Sequence, residues 1–211
     1  AVAVEASTDT TRPTGSLGSF ATTPAYVQEG GDTPFGIADV GNEASPTFAD
    51  IDDDGDLDLF IGDNDGNTNF FRNTGSASAP VFTQEGGDNP FGITYVSRES
   101  KPSFADIDSD GDLDLFIGDS YGRTSFFRNT GSLSAPVYTQ EGGNTPFGIP
   151  EVGYSASPVL ADIDADGDLD LFVGGSYGST RFFRNTGSAS APAYSQEGGG
   201  NPFGITYVGN E

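Results

Sequence analysis

The chain has 211 residues, with 32 acidic against eight basic side chains and a formal charge of −24. Such a balance repels nucleic acid and anionic membranes, whose phosphates require a cationic partner. With no Cys and no His, thiol nucleophiles, disulfides, imidazole bases and the usual zinc or copper ligand sets are excluded, so any bound metal has to be a hard, oxygen-seeking ion. No apolar run approaches the roughly 20 residues that span a bilayer, so membrane insertion is not expected. Thirty-one Gly and 13 Pro beside 17 Phe describe short elements, tight turns and an aromatic core, an all-β composition. The sequence contains no Met and opens Ala-Val-Ala-Val, which reads as a processed or excised chain, with export as the expectation.

The first 23 residues, rich in Thr, Ser and Gly from residue 6 onward, read as an arm or linker. From there the chain repeats. Pro24-Ala25-Tyr26-Val27-Gln28-Glu29-Gly30-Gly31 returns in near-copy at 80, 136 and 192, and Ala-Asp-Ile-Asp at 49 returns at 105 and 161, a step of 56 residues. Between 80–135 and 136–191, 38 of 56 positions are identical, so the units share one backbone and one chemistry. Residues 24–43 form an orphan partial repeat, followed by three complete periods at 44–99, 100–155 and 156–211. The orphan either folds on its own chain or is donated as a strand to another subunit.

Each period predicts four strands, in the first one Pro46 to Ile51, Leu57 to Gly62, Asn67 to Arg72 and Pro80 to Gln84, with Asp-Gly, Asn-Thr-Gly and Glu-Gly-Gly turns between them. Leu57, Leu59 and Ile61 fall on one face of the second strand and Phe60 on the other, while Phe70 and Phe71 point oppositely. Both faces are apolar, so the expected architecture is four-stranded antiparallel β-propeller-type blades in tandem, stacked face to face, with a flat β-sandwich as the alternative. Three blades leave a ring incomplete within one chain. Shared assembly between chains, membership in a longer array and an open capped stack are the three outcomes, and self-association into a ring or filament is the expected one.

Half of the acids lie between the first two strands of each period. The loops run Asp50-Ile51-Asp52-Asp53-Asp54-Gly55-Asp56-Leu57-Asp58, Asp106-Ile107-Asp108-Ser109-Asp110-Gly111-Asp112-Leu113-Asp114 and Asp162-Ile163-Asp164-Ala165-Asp166-Gly167-Asp168-Leu169-Asp170. Unit charges about 4 Å apart repel by roughly 4 kcal/mol at an intermediate dielectric, so convergent carboxylates demand a cation. Acids at positions 1, 3 and 5 with Gly at 6 suit calcium, three ions per chain. Side-chain ligation is expected from the first, third, fifth and ninth positions and the backbone carbonyl from the seventh. Position 12 is Ile61, Ile117 or Val173 where an EF-hand needs Glu, and the flanks are strands, so an EF-hand is excluded. Plain Asp-Gly turns account for the Gly but not for acids at alternate positions three times over. Magnesium is the weaker rival, because it holds its waters and strict octahedral geometry.

Asp-x-Asp-x-Asp-Gly-x-x-Asp followed by Leu57-Asp58-Leu59-Phe60-Ile61-Gly62, with Phe91-Gly92 ahead of the next loop, resembles the FG-GAP or VCBS repeat of integrin alpha subunits and secreted bacterial proteins. The resemblance spans about residues 24–211. It implies one propeller blade per repeat, calcium in the loop between the first two strands, and an extracellular role in adhesion, surface assembly or, in some lectins, glycan binding. Family rings close at seven blades, whereas this chain has three.

The Phe70-Phe71 pair reads as core, and Arg72, Arg128 and Arg184 as partners for carboxylates or carbonyls of their own blade. Tyr121 and Tyr177, in the turn after the second strand, read first as an ordinary surface turn and are the best candidates for glycan contact in the sequence. Although paired carboxylates permit glycoside hydrolysis, an active site is rarely present in three near-identical copies, and no enzymatic activity is expected.

Overall fold

The computed structural model describes residues 28, 31 and 33–206. The expected arm at 1–23 lies outside the described residues, as do 24–27, 29, 30 and 32 of the expected orphan partial repeat 24–43. The fold is all-β, with three four-stranded antiparallel sheets in tandem, each in simple sequential strand order. Sheet 1 comprises β1 (Ser45–Ala49), β2 (Asp58–Gly62), β3 (Thr68–Asn73) and β4 (Phe82–Asp88). Sheet 2 comprises β5 (Lys101–Ala105), β6 (Asp114–Gly118), β7 (Thr124–Asn129) and β8 (Tyr138–Glu141), and sheet 3 comprises β9 (Ser157–Ala161), β10 (Asp170–Gly174), β11 (Thr180–Asn185) and β12 (Tyr194–Gly200). Among the described residues no sheet closes on itself and no ring forms.

Register sorts the side chains. Phe48 pairs with Leu59 and Leu59 with Phe71, while Thr47 pairs with Phe60 and Phe60 with Phe70, so alternate triplets face opposite ways. Phe60 and Phe70 of sheet 1 are buried with Leu115, Ile117, Phe127 and Tyr138 of sheet 2, and Phe60 lies 4.5 Å from Phe104, centroid to centroid. One period later Phe116 and Phe126 meet Leu171, Val173 and Phe183 in the same manner. The expectation that both faces are apolar and stacked is met, and the Phe pair is core: Phe60, Phe70 and Phe71 are wholly inaccessible. Leu59, Ile61, Phe71 and Phe82, on the outer face of sheet 1, are packed by Ile37 and Val40, so this part of the orphan segment folds on its own chain.

Two local expectations are corrected. The fourth strand, read as Pro80 to Gln84, starts at Phe82 and in sheets 1 and 3 runs through the Glu-Gly-Gly segment, which was read as a turn. Gly86 and Gly87 both have positive φ, 73° and 63°, and the register jumps from Phe70↔Glu85 to Asn69↔Asp88, so the glycines form a bulge inside the strand. The Pro-Phe-Gly segments are single 3-10 turns, as at Pro90–Gly92, in which Phe91 itself takes the left-handed conformation.

Candidate metal centre

In each repeat the Asp-rich loop leaves the first strand of the sheet and returns into the second. Ile51 is 2% exposed and packs into the core between sheets 1 and 2, which pins the loop to the sheet while its neighbours Asp50 and Asp52 point elsewhere. Asp50 organises the turn by accepting the Asp54 and Gly55 amides at 3.2 and 3.1 Å, and Asp54 accepts the Asp56 amide at 3.1 Å. The bend requires left-handed backbone at Gly55 (φ 91°) and, unusually, at Asp53 (φ 56°), Ser109 (φ 59°) and Ala165 (φ 62°). A non-glycine residue pays roughly 1–2 kcal/mol for that conformation, and three copies retain it.

The loops bring together Asp50, Asp52 and Asp54, then Asp106, Asp108 and Asp110, then Asp162, Asp164 and Asp166, each residue offering an oxygen within 4.8 Å of the others. Each triplet is positioned to hold a metal ion. Asp56, Asp58, Asp112, Asp114, Asp168 and Asp170 fall outside these mutual groups but supply the most telling oxygens. Asp58 is 2% exposed at the start of β2, and its Oδ1 accepts the Asn73 amide at 2.6 Å. Its Oδ2 is buried without a partner, as are Oδ1 of Asp52 and Oδ1 of Asp56. The second loop repeats all three at Asp108, Asp112 and Asp114, and the third repeats two at Asp168 and Asp170. Asp56, expected to contribute its carbonyl, thus also presents a carboxylate oxygen.

Buried oxygens lacking a donor are costly, about 1–3 kcal/mol each and more when charged. Burial pushes the Asp58 carboxyl up to about 6 and the Asp114 carboxyl to about 7; the Asn73 and Asn129 amides oppose the rise, and the charges of Asp52 and Asp108 add to it. Burial likewise raises Asp170 against the Asn185 amide, and burial followed by the Asp54 charge raises Asp56. The donor set is all carboxylate, hard and anionic, which fits a divalent cation such as calcium.

One cation is already in place. Arg72 bonds Asp52 Oδ2 through Nη1 and Glu85 through Nε at 2.9 Å, and Arg128 and Arg184 repeat the arrangement with Asp108 and Glu141, and with Asp164 and Glu197. The arginines therefore serve carboxylates of their own sheet, as expected, and fix one oxygen of Asp52 and Asp108 while the other is left unpartnered. Sequence reasoning missed Asn73, Asn129 and Asn185. Each side chain accepts two amides of the hairpin that follows, Gly75 and Val81 for Asn73 at 3.1 and 3.0 Å, and each backbone amide anchors the ninth-position Asp. Their recurrence every 56 residues was the available signal.

Tyr121, Tyr154 and Tyr177 are all more than half exposed. The Arg123 guanidinium lies 4.9 Å over the Tyr121 ring, and Tyr154 meets Tyr177 edge-on at 5.8 Å. Tyr121 and Tyr154 line an open cavity of about 450 Å³ with Arg123, Glu151 and Gly153. No helix among the described residues is long and apolar enough to cross a membrane.

No curated protein matches the sequence. The family model described as FG-GAP-like repeat matches residues 50–117 and again 106–173, two windows offset by the 56-residue period and each running from one Asp loop into the second strand of the next sheet. Together the two windows cover residues 50–173, more than half of the sequence, and the chain belongs to the FG-GAP-like repeat family.

Proposed function

We propose that this is a secreted calcium-binding structural or adhesive repeat protein without enzymatic activity, its sheets acting as β-propeller-type blades that assemble into a ring or filament. The observation that carries the reading is the set of buried carboxylate oxygens without donors, Asp52 Oδ1, Asp56 Oδ1 and Asp58 Oδ2, recurring in the second loop and largely in the third. One Ca2+ per loop, held by the Asp residues at positions 1, 3, 5, 7 and 9, would supply the missing positive charge and hold the strained turn. Extracellular calcium modules bind at roughly 10⁻⁴ to 10⁻³ M, a range matched to an external medium. The test is removal of calcium by a chelator, which should lower the melting temperature and the particle size together; a melting temperature indifferent to chelator and to added calcium would contradict the reading.

A second reading, a glycan-binding module, is favoured by the exposed Tyr121 and Tyr154 beside Arg123 and Glu151. Aromatic faces flanked by charged hydrogen-bonding groups suit a sugar ring. The first repeat carries Asp65-Gly66 where the others carry Tyr121-Gly122 and Tyr177-Gly178, so glycan binding, scored on an array, would not follow repeat stoichiometry.

A further inference from the structure

We propose that the two outer faces of the stack form a head-to-tail interface, the free face of sheet 3 docking on the outer face of sheet 1, beside Ile37 and Val40, in a second copy of this chain. The proposal rests on the assembly reading above and specifies its contact. Two internal junctions serve as templates. Where sheet 1 meets sheet 2, Phe60 lies against Phe104, and Ile51 and Ile93 are buried. Where sheet 2 meets sheet 3, Phe116, Ile107 and Ile149 take the same places against Leu171, Val173 and Phe183.

On sheet 3 the equivalents of these donors are uncovered among the described residues. Ile163 is 41% exposed where Ile51 and Ile107 are each 2%, and Ile205 and Phe203 are exposed where Ile93 and Ile149 are buried and Phe91 and Phe147 half-buried. Terminal repeats that end a stack carry a polar outer face. The face of sheet 3 is apolar instead: Val159, 56% exposed and paired with Phe172, stands where sheets 1 and 2 have Thr47 and Ser103. On sheet 1 the acceptors are open in turn. Phe48 and Leu57 are exposed, whereas Phe104 and Leu113, their equivalents, pack into the first junction.

Space matches as well as polarity. A Cβ on Gly62 would meet the Ser100 carbonyl at 1.9 Å and one on Gly118 the Ala156 carbonyl at 2.1 Å, because the entry to the next sheet crosses there. Gly174 keeps the small residue but has its nearest such neighbour at 3.8 Å. Ala44, the equivalent of the fully buried Ser100 and Ala156, is exposed. Phe172, Ile163 and Gly174 of one copy therefore fit Phe48, Leu57 and Ala44 of the next, as Phe60, Ile51 and Gly62 fit Phe104, Leu113 and Ser100 within the chain.

Ile37 and Val40 already occupy on sheet 1 the positions that Ile93 and Val96 occupy at the internal junction. At the intermolecular junction Ile205 yields its place to them. Both segments carry Pro-Phe-Gly-Ile, at 34–37 and at 202–205, so Ile37 meets the sheet with the same residue that Ile205 would bring.

Such an interface is heterologous, with a different patch on each side, and a complementation experiment tests it. Val159→Glu blocks one face and Phe48→Glu the other, both at exposed positions. In sedimentation velocity with calcium, the wild type should grow above the 21.8 kDa monomer as concentration rises. Each variant alone should remain monomeric, and an equimolar mixture should form a dimer that grows no further. A wild type monomeric at every concentration, its faces covered by its own terminal residues, would overturn the proposal, as would continued association of either variant alone. Calcium-dependent melting is read on the same samples: its loss in the wild type counts against the calcium reading, while its retention in monomeric variants leaves that reading intact.

Discussion

Replacing Asp58 by Asn should change stability in opposite directions with and without calcium. Asp58 is almost wholly buried, one oxygen accepts the Asn73 amide, and the other has no donor. Its carboxyl rises to about 6 from an ordinary 3.8, driven by burial, which makes the ionised form about 3 kcal/mol unfavourable in the calcium-free fold. Asn keeps the shape and the acceptor for Asn73 but cannot ionise. Its amide hydrogens need partners of their own, which returns about 1 kcal/mol. The calcium-free variant should therefore be the more stable by about 2 kcal/mol at neutral pH, or roughly 5 °C in melting temperature for a chain of this size.

With calcium bound the logic inverts, because the ionised Oδ2 becomes an asset and its loss removes a ligand. Asp58→Asn should then melt below the wild type, and calcium should raise its melting temperature less. Thermal melts by circular dichroism on both proteins, in chelator and in saturating calcium, give the four values required. If the substitution is destabilising to the same degree in both solutions, Asp58 is a structural hydrogen-bond acceptor only and the reasoning from its unpartnered oxygen fails.

The same carboxyls set a pH dependence. Asp58 and Asp114 are raised in the fold above their unfolded value, so the calcium-free protein should become more stable as pH falls from about 7 toward about 4, and the calcium-bound protein less stable because binding needs ionised ligands; urea midpoints at pH 5 and pH 7.5 check both signs. Asn73→Ala removes the acceptor of the Gly75 and Val81 amides and should cost about 2 kcal/mol, with calcium stoichiometry by titration calorimetry still three per chain.

Much of the fold was legible because the period displays each element three times. Strand order and the opposed faces of Phe60 and Leu59 follow from alternation, which survives wherever a strand is regular. It fails at Gly86 and Gly87, where a bulge breaks the period-2 pattern and two glycines in a row look like a turn. The site was legible in residue type, since Asp at alternate positions with Gly at the sixth is local information. What each Asp does was not. Asp50 spends its oxygens on turn amides, Asp52 shares one with Arg72, and Asp58 is tied to Asn73, 15 residues away; these assignments depend on which strand lies beside the loop.

The placement of Ile51 and Ile107 joins the acidic loops to the stacking of the sheets. Each isoleucine lies between the first two carboxylates of its loop and is buried in the junction with the following sheet. A loop that spreads under the repulsion of its own carboxylates must therefore move an apolar side chain within the inter-sheet core. That core also contains the alanine preceding the loop, Ala49, which pairs with Asp58 across β1 and β2. Neutralising the loop and closing the junction thus act on the same few backbone bonds, so a chain with a charge of −24 can concentrate half of its acids at these bends. In the third loop Ile163 is exposed, and among the described residues no following sheet packs on it. A neighbouring sheet 1 would complete it, so that calcium bound at the last loop would act on assembly between copies as calcium bound at the first two would act on packing within one.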